Sequence, residues 1–156
     1  MSVNDIEISG KVVYNENVNN ADCIKSAYFY CERVYTMSLK VMVCDDSMFV
    51  RKKMKDAVAA AGVSEIIEAA DGQQAIDKYK AEKPDLVFMD IIMPVKSGVE
   101  ALTEIKAFDN GAKVVMASSV GTQENLKEAI MAGAYDFLQK PIANEDVAKI
   151  ISKASK

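Results

Sequence analysis

The chain has 156 residues, half of them apolar and 27% charged, which suits one domain with a hydrophobic core and excludes a disordered or fibrous composition. Its formal net charge is −4 and no Lys/Arg cluster forms a basic stripe, which argues against nucleic acid as a direct partner. No histidine is present, so Ser-His-Asp and Cys-His catalysis are excluded and a zinc site is disfavoured.

Residues 1–36 are polar and Asn-rich at first, then carry one candidate helix over 21–35 with Ile24, Ala27, Tyr28, Cys31 and Tyr35 loosely on one side. They stand outside the pattern that follows, and Met37-Ser38-Leu39 reads as a natural start. The expectation is an extension, poorly structured or a misassigned start, ahead of one domain over 37–156. Nothing marks the chain for secretion, and no apolar run approaches the length of a membrane span. Cys23, Cys31 and Cys44 are odd in number and far apart, which fits a reduced cytoplasm better than a disulfide framework.

From residue 39 onward, strand-like runs alternate with helical patterns. The first run, 39–44, contains the unbroken stretch Val41-Met42-Val43-Cys44, and Cys44 reads as a small core residue. Ser47 is a plausible N-cap for a helix whose Val50, Met54 and Val58 recur every fourth residue and which stops at Gly62. A second run, 65–69, precedes a helix ended by Lys83-Pro84. The third run, 85–89, includes Leu86-Val87-Phe88-Met89, followed by a helical stripe of Val99, Leu102 and Ile105 that stops near Asn110-Gly111. The fourth, 113–117, includes Val114-Val115-Met116-Ala117, followed by Leu126 with Ile130 and a stop at Gly133. A fifth run, 135–138, leads to a last helix with Asn144 as N-cap and Val147, Ile150, Ile151 and Ala154 on one side.

Unbroken apolar strands are those buried on both faces, as in a parallel sheet covered by helices. Five strand–helix units, with right-handed crossovers, therefore predict an α/β fold built on an open, doubly wound five-stranded sheet. In such sheets the ligand site lies beyond the carboxyl ends of the strands. Asp45-Asp46 follow the first strand, Asp90 the third, Ser118 the fourth and Lys140-Pro141 the fifth. Each alone is an ordinary turn, cap or surface residue. Together they gather three carboxylates at one rim, where each pair repels by roughly 4 kcal/mol at ~4 Å and an effective dielectric of ~20. A fold keeps that arrangement when a cation binds there. The donors are oxygens only, which suits Mg2+. One carboxylate as nucleophile, a cation, Lys140 and the Ser118 hydroxyl make a set that can accept a phosphoryl group. With no histidine in the chain, a phosphohistidine donor must be another protein.

Cys44-Asp45-Asp46-Ser47, Met89-Asp90-Ile91-Ile92-Met93-Pro94 with Gly98, Ser118, and Phe137-Leu138-Gln139-Lys140-Pro141 carry a resemblance to the receiver domain of bacterial response regulators, over residues 39–156. The resemblance implies a flavodoxin-like (CheY-like) sheet of order 2-1-3-4-5 with helices on both faces. It implies Asp90 as phospho-acceptor, Asp46 and Asp90 as direct Mg2+ ligands, the main-chain carbonyl of Ile92 as a third, and Asp45 acting through water. Ser118 matches the switch hydroxyl, Lys140 the phosphate-pairing lysine and Phe137 the switch aromatic. Tyr135, two positions earlier and expected on the same face, competes for that last role.

Ile92 and Val120 are apolar at two positions that tune dephosphorylation in the family, so slow self-dephosphorylation is expected. The implied partners are a sensor histidine kinase, a downstream protein target such as a flagellar motor switch protein, and an external phosphatase. The chain most resembles the single-domain chemotaxis regulators, signalling by protein contact and acting as an enzyme only on its own phosphorylation state. A phosphorelay intermediate is the alternative. A haloacid dehalogenase-type phosphatase would carry Asp-x-Asp after the first strand, where this chain has Asp45-Asp46. A flavodoxin-type electron carrier would place a Ser/Thr/Gly-rich phosphate loop there instead of two acids.

Overall fold

The computed structural model describes residues 37–119 and 123–155. The extension over 1–36 with its candidate helix, Cys23, Cys31, Val120 and the C-terminal Lys156 lie outside the described residues. The elements are β1 (Met37–Cys44), α1 (Met48–Ala60), β2 (Val63–Ala69), α2 (Gly72–Glu82), β3 (Leu86–Asp90), α3 (Gly98–Phe108), β4 (Val114–Ser118), α4 (Gln123–Met131), β5 (Asp136–Gln139) and α5 (Asn144–Ala154). All strand pairs are parallel, in the order β2-β1-β3-β4-β5, which is the doubly wound sheet that the alternating pattern and the resemblance predict. Among the described residues, no helix is long and apolar enough to cross a membrane.

Every residue of β3 and β4 is buried, which is why their sequences are unbroken apolar runs ending in one polar residue each. Alternate residues feed two cores. Val41, Val43, Leu86, Phe88 and Val115 pack with α1 and α5 through Met54, Val58, Val147 and Ile151. Met42, Cys44, Val87, Met89, Val114 and Met116 pack on the other face with Ile76 and Tyr79 of α2, Leu102 and Ile105 of α3 and Ala129 of α4. Fully burying side chains such as Phe88, Met42 or Leu86 contributes roughly 1.5–3 kcal/mol each. A register slip by one residue would exchange the two faces, so both cores lock the same register. Cys44 is a buried free thiol, and burial pushes its pKa up, in keeping with a small core residue.

The local stop and start signals act largely as their chemistry dictates. Ser47 caps α1, its side chain accepting from the Val50 N–H. Gly62 (φ +92°) and Gly133 (φ +89°) take left-handed backbone where α1 and α4 end. Lys83 closes α2 in the left-handed region, donating its N–H to the Tyr79 carbonyl, before Pro84.

Three expectations change. Asn144 is not the cap of α5: Ala143 holds that position with no side-chain hydrogen bond, and Asn144 is already helical. Glu145 and Asp146 in the first turn complement the helix dipole instead. In α4 the buried residue is Ala129, whereas Ile130 is exposed. The helix packs through small residues, with Ala132 and Ala134 against the same core, so the bulkier neighbour turns outward. Finally, the strand bounds shift: β3, β4 and β5 run one residue later than 85–89, 113–117 and 135–138, and β1 and β2 begin two residues earlier than 39 and 65. Asp90 pairs with Ala117 and Ser118 with Gln139, which makes Asp90 and Ser118 the last residues of their strands.

Candidate functional site

The parallel register sets one rim level. Cys44 pairs with Met89, Asp90 with Ala117 and Ser118 with Gln139, so Asp45, Asp90, Ser118 and Lys140 emerge beside one another at the carboxyl ends of β1, β3, β4 and β5. Asp45, Asp90 and Ser118 are buried, while Asp46 is exposed. One carboxylate oxygen from each of Asp45, Asp46 and Asp90 lies within 4.8 Å of the others. Lys140 Nζ reaches Asp45 Oδ2 at 2.5 Å and Asp90 Oδ2 at 3.1 Å.

Each member is fixed by local chemistry. Asp45 Oδ1 accepts the Ser47 N–H at 2.9 Å, and the Asp45 N–H extends the ladder to the Ala69 carbonyl. Lys140 is held by its backbone, whose N–H donates to the Ser118 carbonyl at 2.8 Å, ahead of a cis bond to Pro141. After Asp90 the chain must turn sharply into α3. The Gly98 N–H donates to the Ile91 carbonyl at 2.8 Å, and Ser97 and Glu100 form a reciprocal capping box. A side chain at Gly98 would overlap the Asp90 carbonyl oxygen, at 2.0 Å from an ideal Cβ. Val95, in the same loop, holds a left-handed φ of +67°, strained for a β-branched residue.

The electrostatics follow from burial and crowding. Asp90 has its pKa raised, chiefly by burial, with Asp45 adding to the shift, while Lys140 and a backbone hydrogen bond from Ile92 work against it. For Lys140, burial disfavours the ammonium, but the hydrogen bond to Asp45 and the attraction of Asp90 outweigh it and the pKa rises. Three carboxylates face one ammonium, which leaves an excess of two negative charges for a divalent cation to balance. All donors in the cluster are carboxylate oxygens, which hard cations such as Mg2+ prefer over thiolate or imidazole sites.

The structure therefore gathers Asp45, Asp46, Asp90 and Lys140 directly and sets Ser118 at the same rim. Ile92 has its backbone beside the Asp90 carboxylate and its side chain exposed. Phe137 is half-buried against the core on the α2–α4 side. Tyr135 does not share its face: it packs against the opposite core, with Lys113 and Lys153 over its ring. It precedes β5, where strand alternation has not begun. Sequence reasoning missed Arg51, whose Nη1 donates to the carbonyls of Asp45 and Asp46. Its one signal is a cation near the amino end of α1, where the helix dipole disfavours positive charge.

Residues 41–152 match the family model of the response regulator receiver domain. The chemotaxis protein CheY of Thermotoga maritima is 42% identical over 120 residues, covering 77% of this chain and 100% of that protein. CheY of Bacillus subtilis is 42% identical over 117 residues, covering 75% and 98%. Among solved structures, the CheX–CheY–BeF3–Mg2+ complex of Borrelia burgdorferi contains a chain that superposes with a TM-score of 0.70 at 33% identity, over 74% of this chain and 87% of that one. Sequence and backbone fold match these relatives over most of the described region, and the chain belongs to the response regulator receiver domain family, of the CheY-like type.

Proposed function

We propose that the domain over residues 37–156 is switched by phosphorylation of Asp90 beside a bound Mg2+ ion, with residues 1–36 an extension ahead of that domain. The observation that carries the reading is the approach of three carboxylates from two separated stretches, with Lys140 on two of them. Asp46 and Asp90 would hold the ion directly, Asp45 through water, and the Ile92 carbonyl would complete the protein ligands. When bound, the ion supplies positive charge that offsets the cluster and the transferring phosphoryl oxygens.

A carboxylate oxygen of Asp90 attacks phosphorus of a phosphohistidine on a partner kinase. The P–O bond forms as the P–N bond breaks, and the imidazole nitrogen keeps the electron pair. Lys140 Nζ, now shared between Asp45 and Asp90, pairs with a phosphoryl oxygen, and the Ser118 hydroxyl donates to another. Drawing Ser118 toward the phosphoryl group opens space for Phe137 to turn inward, reshaping the face formed by α4, β5 and α5. Such a switch biases two existing states by ~1–3 kcal/mol. The domain is a signalling device that catalyses only its own modification. The names of its relatives favour a role in chemotaxis, with a flagellar motor switch protein as the target class and an external phosphatase to reset a slowly decaying phosphoryl group.

Incubation with acetyl phosphate and Mg2+, followed by intact mass measurement, tests the chemistry. A gain of ~80 Da is expected in the wild type and absent from Asp90→Asn or after chelation. Uptake by Asp90→Asn at the wild-type level would remove the proposal. Transfer of the label onward to a histidine of another protein, without binding to a motor switch protein, would move the output from chemotaxis to a phosphorelay.

A further inference from the structure

Asp45 and Asp46 lie between β1 and α1, where their carbonyls belong to neither the strand ladder nor the helix; the first helical bond runs from the Arg51 N–H to the Ser47 carbonyl. The carbonyl of buried Asp45 is cut off from bulk water and needs donors. Arg51 provides them from one nitrogen: Nη1 donates to the Asp45 carbonyl at 2.7 Å and to the Asp46 carbonyl at 3.2 Å. Its Nε donates to Glu68 Oε2 on β2 at 3.3 Å, and Glu68 is held in turn by Lys55 Nζ at 2.5 Å. The Arg51 side chain is only 15% exposed, so this fork is packed in place.

We propose that Arg51 is a positioning residue for the cation site: anchored on Glu68, it holds the backbone of the Asp45-Asp46 step so that both carboxylates converge with Asp90. The inference rests on the reading that these three carboxylates bind a divalent cation. It carries an unusual sign. As a bare charge, Arg51 repels an incoming cation, so simple electrostatics predicts tighter binding when the guanidinium is removed. Positioning predicts the reverse, because a carboxylate pair attached to a loosened loop must be ordered at the moment of binding. A purely structural role predicts lower stability with unchanged affinity of the folded molecule.

Titration of the full chain with MgCl2 by calorimetry separates these. Arg51→Met is expected to weaken Mg2+ binding by ~10-fold, the scale found for groups that orient metal ligands. In the metal-free protein, hydrogen exchange at the Ser47 N–H, which closes onto Asp45 Oδ1, is expected to accelerate while Val43 and Phe88 in the sheet keep their protection. Arg51→Lys, which retains charge but loses the fork, should lie between Met and wild type. Should Arg51→Met fold poorly, Glu68→Gln releases the Nε anchor alone and is expected to shift both readouts in the same direction by less. Unchanged or tighter Mg2+ binding, or a change in only one of the two readouts, overturns the inference while leaving wild-type binding intact. If the wild type itself takes up no Mg2+, the cation site and this role fall together; Asp46→Asn, measured alongside, identifies that case by matching the wild type.

Discussion

Gly98→Ala tests whether the turn after Asp90 is as tightly built as the rim requires. An ideal Cβ at this position lies 2.0 Å from the Asp90 carbonyl oxygen, 2.9 Å from its carbonyl carbon and 3.0 Å from Ile91 Cα, all of them backbone atoms. Real Cβ contacts do not fall below 3.0 Å, so the oxygen has to retreat by about an ångström or the helix has to withdraw. Withdrawal is opposed by the Gly98 to Ile91 bond and by the Ser97–Glu100 capping box at the amino end of α3. With rigid backbone on both sides, the cost belongs at the upper end of overpacking, about 3 kcal/mol. For a domain of this size that lowers Tm by roughly 10 °C. The control is Gly62→Ala, which meets no atom within 4 Å and carries only the strain of its φ of +92°, about 1 kcal/mol. The chain lacks tryptophan, so urea unfolding is best followed by far-UV circular dichroism. A loss for Gly98→Ala no larger than for Gly62→Ala would refute the packing argument. Acetyl phosphate labelling of the folded variant should also fall, because the displaced atom belongs to Asp90 itself.

Lys140→Met strips the ammonium from two buried carboxylates and is expected to destabilise the metal-free protein by ~3 kcal/mol, with Mg2+ recovering part of the loss in a thermal melt. A destabilisation that Mg2+ does not relieve would argue against charge as the cause. Asp90 has a raised pKa in the fold, so the folded state binds its proton more readily than the unfolded chain. Its contribution is full below the ordinary aspartate pKa and is lost as pH rises through the raised value. Metal-free wild type should therefore gain stability relative to Asp90→Asn as pH is lowered through that window, and parallel pH profiles for the two proteins would contradict this. Ile92→Asn places a polar group at an exposed position beside Asp90 without touching the core, and is expected to shorten the phosphoryl lifetime several-fold in intact-mass time courses. A lifetime of seconds in the wild type, unchanged by the substitution, would count against a slow self-dephosphorylation set by this apolar residue.

Strands β3 and β4 were legible in the sequence because burial on both faces leaves a one-dimensional signature, unbroken apolar residues closed by Asp90 or Ser118. Where packing chose between neighbours, the linear pattern misled. Ile130 outranks Ala129 on any apolar scale, yet α4 seats its small residue on the sheet and leaves the large one outside. Asn144 has the chemistry of a cap but sits one residue inside α5, a boundary set by where the backbone turns. Tyr135 and Phe137 differ by two positions, but only Phe137 lies in β5, so alternation does not place them on one face.

By itself the sequence determined the fold class, the alternation of parallel strands with helices and the chemical types collected at one rim, because these follow from periodicity, crossover handedness and the rule that strand carboxyl ends face the ligand; the strand order 2-1-3-4-5 came only with the family resemblance. Only the tertiary structure decided which groups touch. Lys140 lies closer to Asp45 than to Asp90, and Arg51 grips the carbonyls behind the acidic pair. Such contacts depend on the level of β1 against β5 and on the depth at which α1 meets β2. Distances of that kind are set by the volumes of packed side chains, which act in three dimensions and leave no period in the chain.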